Sequence, residues 1–458
     1  PPTSDRQWSW REWRILLFTA VALLGVKLVV DRADTPLRQT GRPPLTHEMA
    51  LQGGALRLDG FNLSREQVAA GETFDVEMAW TATDPPVVDY QSEISLVGPD
   101  GLAWSEKGTQ RPRLYEDAPP TRQWEPGEWG WDSREVQTLS GTPPGTYDIV
   151  MTLFDRTTLA PVTLVDTTTG APLGPTAVIG QVEVANPAEP PPFDPQYAAD
   201  QEWPALGLRL LGYNQDRDTA APGENVLLTF FWECLERSLC ERFVLRLEDE
   251  NGPTDDEWWL PAIHDDFPSD AWPDHGRLRG QHVIQLPADL TSGRYRFYLE
   301  DYPLGEIAVT APERQFTLPP LAYEVGATLT ATDGVPVATL AGLAADPPCA
   351  PAPLLPCPIP LVWRAESSPP TSYHVFVHLV DAAGNILAQS DAVPANWTRP
   401  TTGWLPGEYV TDLHTLTLPA ELPDGPLTLR VGLYDPATGA RLMAGDQDFV
   451  AIDLPAAP

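Results

Sequence analysis

From about residue 47 onward the chain is built of short runs in which apolar and polar residues alternate. Over residues 74–80, Phe74, Val76, Met78 and Trp80 alternate with Asp75, Glu77 and Ala79, the period-two pattern of a strand with one buried face. Residues 226–232 and 373–380 are more continuously apolar, as central strands are. Turn residues close the runs: Gly98-Pro99-Asp100-Gly101, Asp249-Glu250-Asn251-Gly252 and Asp381-Ala382-Ala383-Gly384 each end in the glycine that a hairpin with positive φ requires. Helical periodicity is absent outside the N-terminus, and 52 prolines with 34 glycines reinforce a reading of many short strands.

These markers repeat. Trp80, Trp232 and Trp363 are spaced by 152 and 131 residues, and Gly101, Gly252 and Gly384 by 151 and 132. Equal spacing of strand and turn markers predicts three copies of one module. Strands without intervening helices cannot form a parallel sheet, so the expected fold is all-β: three tandem antiparallel β-sandwiches, immunoglobulin-like or jelly-roll-like. The three tryptophans are the expected large core residues between sheets. The predicted modules are 47–186, 203–318 and 319–458, with a proline-rich linker over 187–202.

Residues 15–30 are apolar except for Lys27 and follow Arg14. They predict a membrane-spanning helix over 14–30, with 1–13 as a cytoplasmic stub and 31–46 as a linker. Arg6, Arg11 and Arg14 place the N-terminus inside, and Trp8, Trp10 and Trp13 suit an interface. The expected location is therefore a cell membrane crossed once, with the bulk extracytoplasmic. Acidic residues number 64 against 29 basic ones, a net charge of −35; such a field repels nucleic acid. Cys234 with Cys240, and Cys349 with Cys357, form two local pairs, which in an exported chain predict two disulfides.

The third module contains Val375-Phe376-Val377-His378-Leu379-Val380-Asp381, then Trp404-Leu405-Pro406-Gly407-Glu408-Tyr409, then Leu433-Tyr434-Asp435-Pro436-Ala437-Thr438-Gly439. The first repeats this as Trp124-Glu125-Pro126-Gly127-Glu128 and Leu153-Phe154-Asp155, while the second departs from it. The pattern resembles the β-sandwich modules that follow the membrane region of bacterial dolichyl-phosphate-mannose–protein mannosyltransferase-like (GT-C) proteins. The resemblance implies an accessory module and carries no catalytic residue, since in that family the catalytic acid lies between membrane helices.

No Gly-x-Ser-x-Gly, HExxH or P-loop pattern occurs, and no catalytic residue or cofactor is expected. His264-Asp265-Asp266 with His275 and His282 is the best grouping of metal-ligand types, but it lacks tight ligand spacing, so no metal site is expected. Tryptophan is abundant, with 16 residues; Trp104, Trp129, Trp131, Trp258, Trp259 and Trp397 are candidates for exposed rings. Trp129 and Trp131 share one strand face about 7 Å apart, whereas Trp258 and Trp259 point to opposite faces. These four are the candidate ligand-binding residues. The expected function is a non-catalytic binding or spacer protein, with glycans or other envelope proteins as partners. The alternatives are the accessory region of a polytopic glycosyltransferase and a structural subunit of an envelope assembly.

Overall fold

The computed structural model describes residues 9–30, 44–106, 108–110, 120–240, 242–265, 267, 271–273, 275–344, 356–423 and 425–454. Arg6, Trp8, Asp266, Cys349 and most of the 31–46 linker lie outside the described residues. The chain is predominantly β-strand, β-sandwich-like and almost wholly antiparallel. Among the described residues six sheets form three sequential pairs, each pair enclosing one cluster of buried apolar residues.

The repeat seen in the sequence is a repeat of register. Leu58 pairs with Trp80, Leu210 with Trp232, and Leu340 with Trp363, and in each case the strand bulges immediately afterwards. The bulge falls at Gly60, Gly212 and Gly342. A Cβ there would meet the carbonyl oxygen of His47, Tyr197 or Tyr323 at 2.2, 2.7 or 2.1 Å, so the neighbouring strand's backbone admits only glycine. The three tryptophans are fully buried. The next strand in each sheet also aligns: Trp80 faces Gly130, Trp232 faces Leu278, and Trp363 faces Val410.

Hydrogen-bonded seams join the successive pairs. At the first, Arg279 donates its backbone N–H to the Gly141 carbonyl and its Nε to Ser140. Gln281 donates to the Ala103 carbonyl, and Phe193 packs on Phe231 with ring centroids 4.7 Å apart. At the second, Arg314 bonds the carbonyls of Ala288 and Gly403 and the buried Glu408 carboxylate, and Thr402 donates to the Gly223 carbonyl.

Three expectations change. Trp104 is buried, its indole N–H held by Asp100. Strand Tyr197–Trp203 begins inside the predicted 187–202 linker; none of its residues is fully buried, so its sequence shows no apolar face. The membrane location is overturned: no helix among the described residues is long and apolar enough to cross a membrane. The N-terminal helix is Trp10–Val30. Between Arg14 and Lys27 its uncharged run is only 15–26, about 18 Å of helix against a hydrocarbon layer of about 30 Å.

Cys234 and Cys240 form a disulfide. Its position follows from strand Asn225–Cys234, whose last residue meets the chain returning into strand Arg242–Asp249. Cys357 is buried at the start of strand Pro356–Ala365.

Candidate aromatic binding faces

Strand Trp129–Gln137 is the edge of the first six-stranded sheet. Its burial alternates: Gly130, Asp132, Arg134 and Val136 turn inward, while Trp129, Trp131, Ser133, Glu135 and Gln137 turn outward. Trp131 lies opposite Ala79 and Trp129 opposite Thr81. Ala79 is fully buried although it belongs to the outward set, which fits a small residue lying beneath large neighbours. Beside the two half-buried indoles, the Thr81 hydroxyl donates to Asp59, and Arg57 donates to the same carboxylate at 2.7 Å. The face thus combines two rings about 7 Å apart with a hydroxyl, a carboxylate and a guanidinium.

Trp258 and Trp259 do not make such a face. They lie on edge strand Gly252–Pro261, where Trp258 packs against the second apolar core and Trp259 is 65% exposed. Arg242 donates to the Trp259 carbonyl at 3.1 Å.

On the inward side of the equivalent strands lie groups that sequence reading missed. In the first sheet pair, Arg134 donates through Nε and Nη2 to both oxygens of Asp132, at 3.2 and 3.1 Å. It also bonds Ser92, whose hydroxyl donates to Asp132 at 2.9 Å. In the third, Asp412 accepts from Trp363 Nε1 at 3.3 Å and from the Ala395 N–H at 2.8 Å. His414 Nε2 lies 3.0 Å from Asp412, and His414 Nδ1 lies 3.0 Å from the Ser390 hydroxyl.

Serine, histidine and aspartate in that order have the makeup of a hydrolytic triad. The other two sheet pairs carry different groups at these positions. By register, Asp132 and Arg134 occupy the positions of Asp412 and His414, and an arginine cannot serve as general base. Ser390 also sits within a ladder opposite Val377. The second sheet pair has Gly280 and His282 at these positions. A Cβ on Gly280 would lie 2.1 Å from the Ala262 carbonyl oxygen, so that loop occupies the room a carboxylate needs. His282 is buried among Phe230 and Phe243, and burial drives its pKa down to about 4.

Two cavities border loop 261–265. One of about 380 Å³ lies at the first seam, lined by Pro99, Asp100, Pro261, His264, Gln281 and His282 among others. The other, of about 180 Å³, reaches Cys240 and Trp272. Among the described residues no three His, Cys, Asp or Glu side chains are placed to hold a metal ion.

In the third sheet pair, Ala395, Asn396 and Trp397 all have left-handed backbone, with φ of 54°, 55° and 69°, at a cost of roughly 1–2 kcal/mol per residue. Asp412 holds the Ala395 N–H, and the Thr398 hydroxyl donates to the Ala395 carbonyl at 2.7 Å. The turn leaves Trp397 61% exposed.

No protein-family pattern matches this chain, and no curated protein matches it. Among solved structures, Pseudomonas fluorescens alkylpurine DNA glycosylase AlkC bound to DNA containing an abasic site analog is similar over 29% of this chain and 31% of that one. Identity is 14% and the TM-score is 0.18, too low to carry an argument about fold or function.

Proposed function

We propose that the chain is a non-catalytic tandem of three β-sandwich modules, immunoglobulin-like or jelly-roll-like, spanning about 47–186, 203–318 and 319–458. It works as a binding and spacing protein, and its ligand is a glycan held on the first module. The observation that carries this reading is the outward pairing of Trp129 and Trp131 beside Thr81, Asp59 and Arg57. Indole faces pack against the C–H faces of sugar rings, and neighbouring polar groups fix their hydroxyls. The hydrogen-bonded seams support the spacing role, because they hold successive modules in contact.

A glycan array of the purified chain tests the reading, with Trp129→Ala and Trp131→Ala as controls. Binding that either substitution abolishes is the expected result. No binding, or binding that neither substitution weakens, rejects a glycan site on this face.

A further inference from the structure

We infer that the third sheet pair carries a binding corner for a trimethylammonium cation, formed by Trp397, His374 and Tyr434. This goes beyond the glycan reading and rests on different residues. The His374 ring meets Trp397 edge-on at 5.2 Å and 81°, and meets Tyr434 at 5.6 Å and 76°. Rings set nearly perpendicular make a corner of π faces. Such a corner suits a compact, roughly spherical cation that has no hydrogen bonds to give. A flat sugar ring fits a single open face better. Trp397 is largely exposed, and His374 and Tyr434 are half-buried beneath it, so one wall is open to solvent and two are fixed.

Four further observations agree. The sheet face already seats cations on rings: the Arg441 guanidinium lies 4.2 Å from the Phe376 centroid, and Arg430 lies 4.7 Å from that of Phe449. Carboxylates face the corner: Asp391 and Asp435 act on His374, and Asp391 acts on Tyr434, where the Arg441 guanidinium opposes it; the chain as a whole carries a net charge of −35. Burial lowers the pKa of His374, so near neutral pH its ring is uncharged and does not repel a cation. The left-handed turn is anchored to the buried Asp412 through Ala395, which presents Trp397 in place before any ligand arrives.

Choline supplies the trimethylammonium group free in solution, and phosphatidylcholine vesicles supply it on a surface. The test is calorimetric titration of the full chain with choline chloride, and sedimentation with phosphatidylcholine vesicles against phosphatidylglycerol vesicles. The uncharged isostere 3,3-dimethylbutan-1-ol is the control for charge. Saturable binding of choline, of phosphatidylcholine vesicles, or of both supports the corner, and the arm that binds identifies the source. The isostere and Trp397→Ala are each expected to bind about tenfold more weakly, and Trp397→Phe to retain most of the affinity. Asp391→Asn should weaken choline a few-fold while leaving the isostere unchanged. Absence of binding in both arms overturns the inference. So does an isostere that binds as well as choline, or a Trp397→Ala chain that binds as well as wild type.

Discussion

Three equivalent strands, Trp129–Gln137, Arg277–Gln285 and Tyr409–Thr417, put different chemistry on the same backbone. On the inward side the first and third bury an aspartate with a hydrogen-bonded partner, Asp132 with Arg134 and Asp412 with His414. The second replaces the acid with Gly280 and keeps only His282. On the outward side the first presents Trp129 and Trp131, whereas the second presents Arg277 and Arg279, and Arg279 grips the preceding sheet pair. The difference shows how one strand type serves two purposes. In the second strand the outer face meets a neighbour and carries backbone-reading arginine; in the first it carries two indoles.

The strongest way to break the inward half of this comparison is Asp132→Leu. It removes the Asp132 carboxylate from beside the buried Arg134 guanidinium, and a loss of about 3–5 kcal/mol is expected from chemical denaturation of the full chain. A loss below 1 kcal/mol would mean that the pair contributes nothing to holding the first sheet pair.

Acid titration sharpens the contrast with the second sheet pair. The folded pKa of His282 is lowered to about 4 from 6.5, so the folded state resists protonation. Its contribution is intact above pH 6.5 and declines as pH falls toward 4, by on the order of 3 kcal/mol in all. His282→Leu should remove that pH dependence, and an unchanged profile in the variant would assign it to other groups. Reduction of the Cys234–Cys240 bond should cost the same sheet pair roughly 2 kcal/mol by the chain-entropy argument for a short loop. Thermal melts with and without reductant read this directly.

The smallest expected stability effect is at the outward face. Trp131→Ala should change stability by about 1 kcal/mol or less, since the ring is half-buried at a sheet edge. A larger loss would mark Trp131 as a core residue and weaken the binding reading.

Much of this architecture could be read from residue order. The tryptophan spacing marked three positions of equivalent strand register, and the period-two alternation placed Trp129 and Trp131 on one face. That same alternation puts Asp132 and Arg134 on the inner face, so the buried pair had a signal that an emphasis on aromatics passed over. Sheet order and seams had none, because Arg279 and Gln281 resemble any solvated strand face until the neighbouring carbonyls are in place. The left-handed turn at Ala395, Asn396 and Trp397 was equally hidden. Neither alanine nor tryptophan favours that backbone, and its anchor, Asp412, lies in a different strand. The N-terminal helix falls short of a span because Lys27 interrupts its apolar run.

Exchange of the outward residue tests the central comparison most directly: Trp131→Arg gives the first strand the side chain that its counterpart carries at Arg279. Glycan-array binding by this variant should fall to background while its denaturation midpoint stays within experimental error of wild type. Glycan binding equal to that of wild type would contradict the assignment of the open tryptophan face as the binding surface.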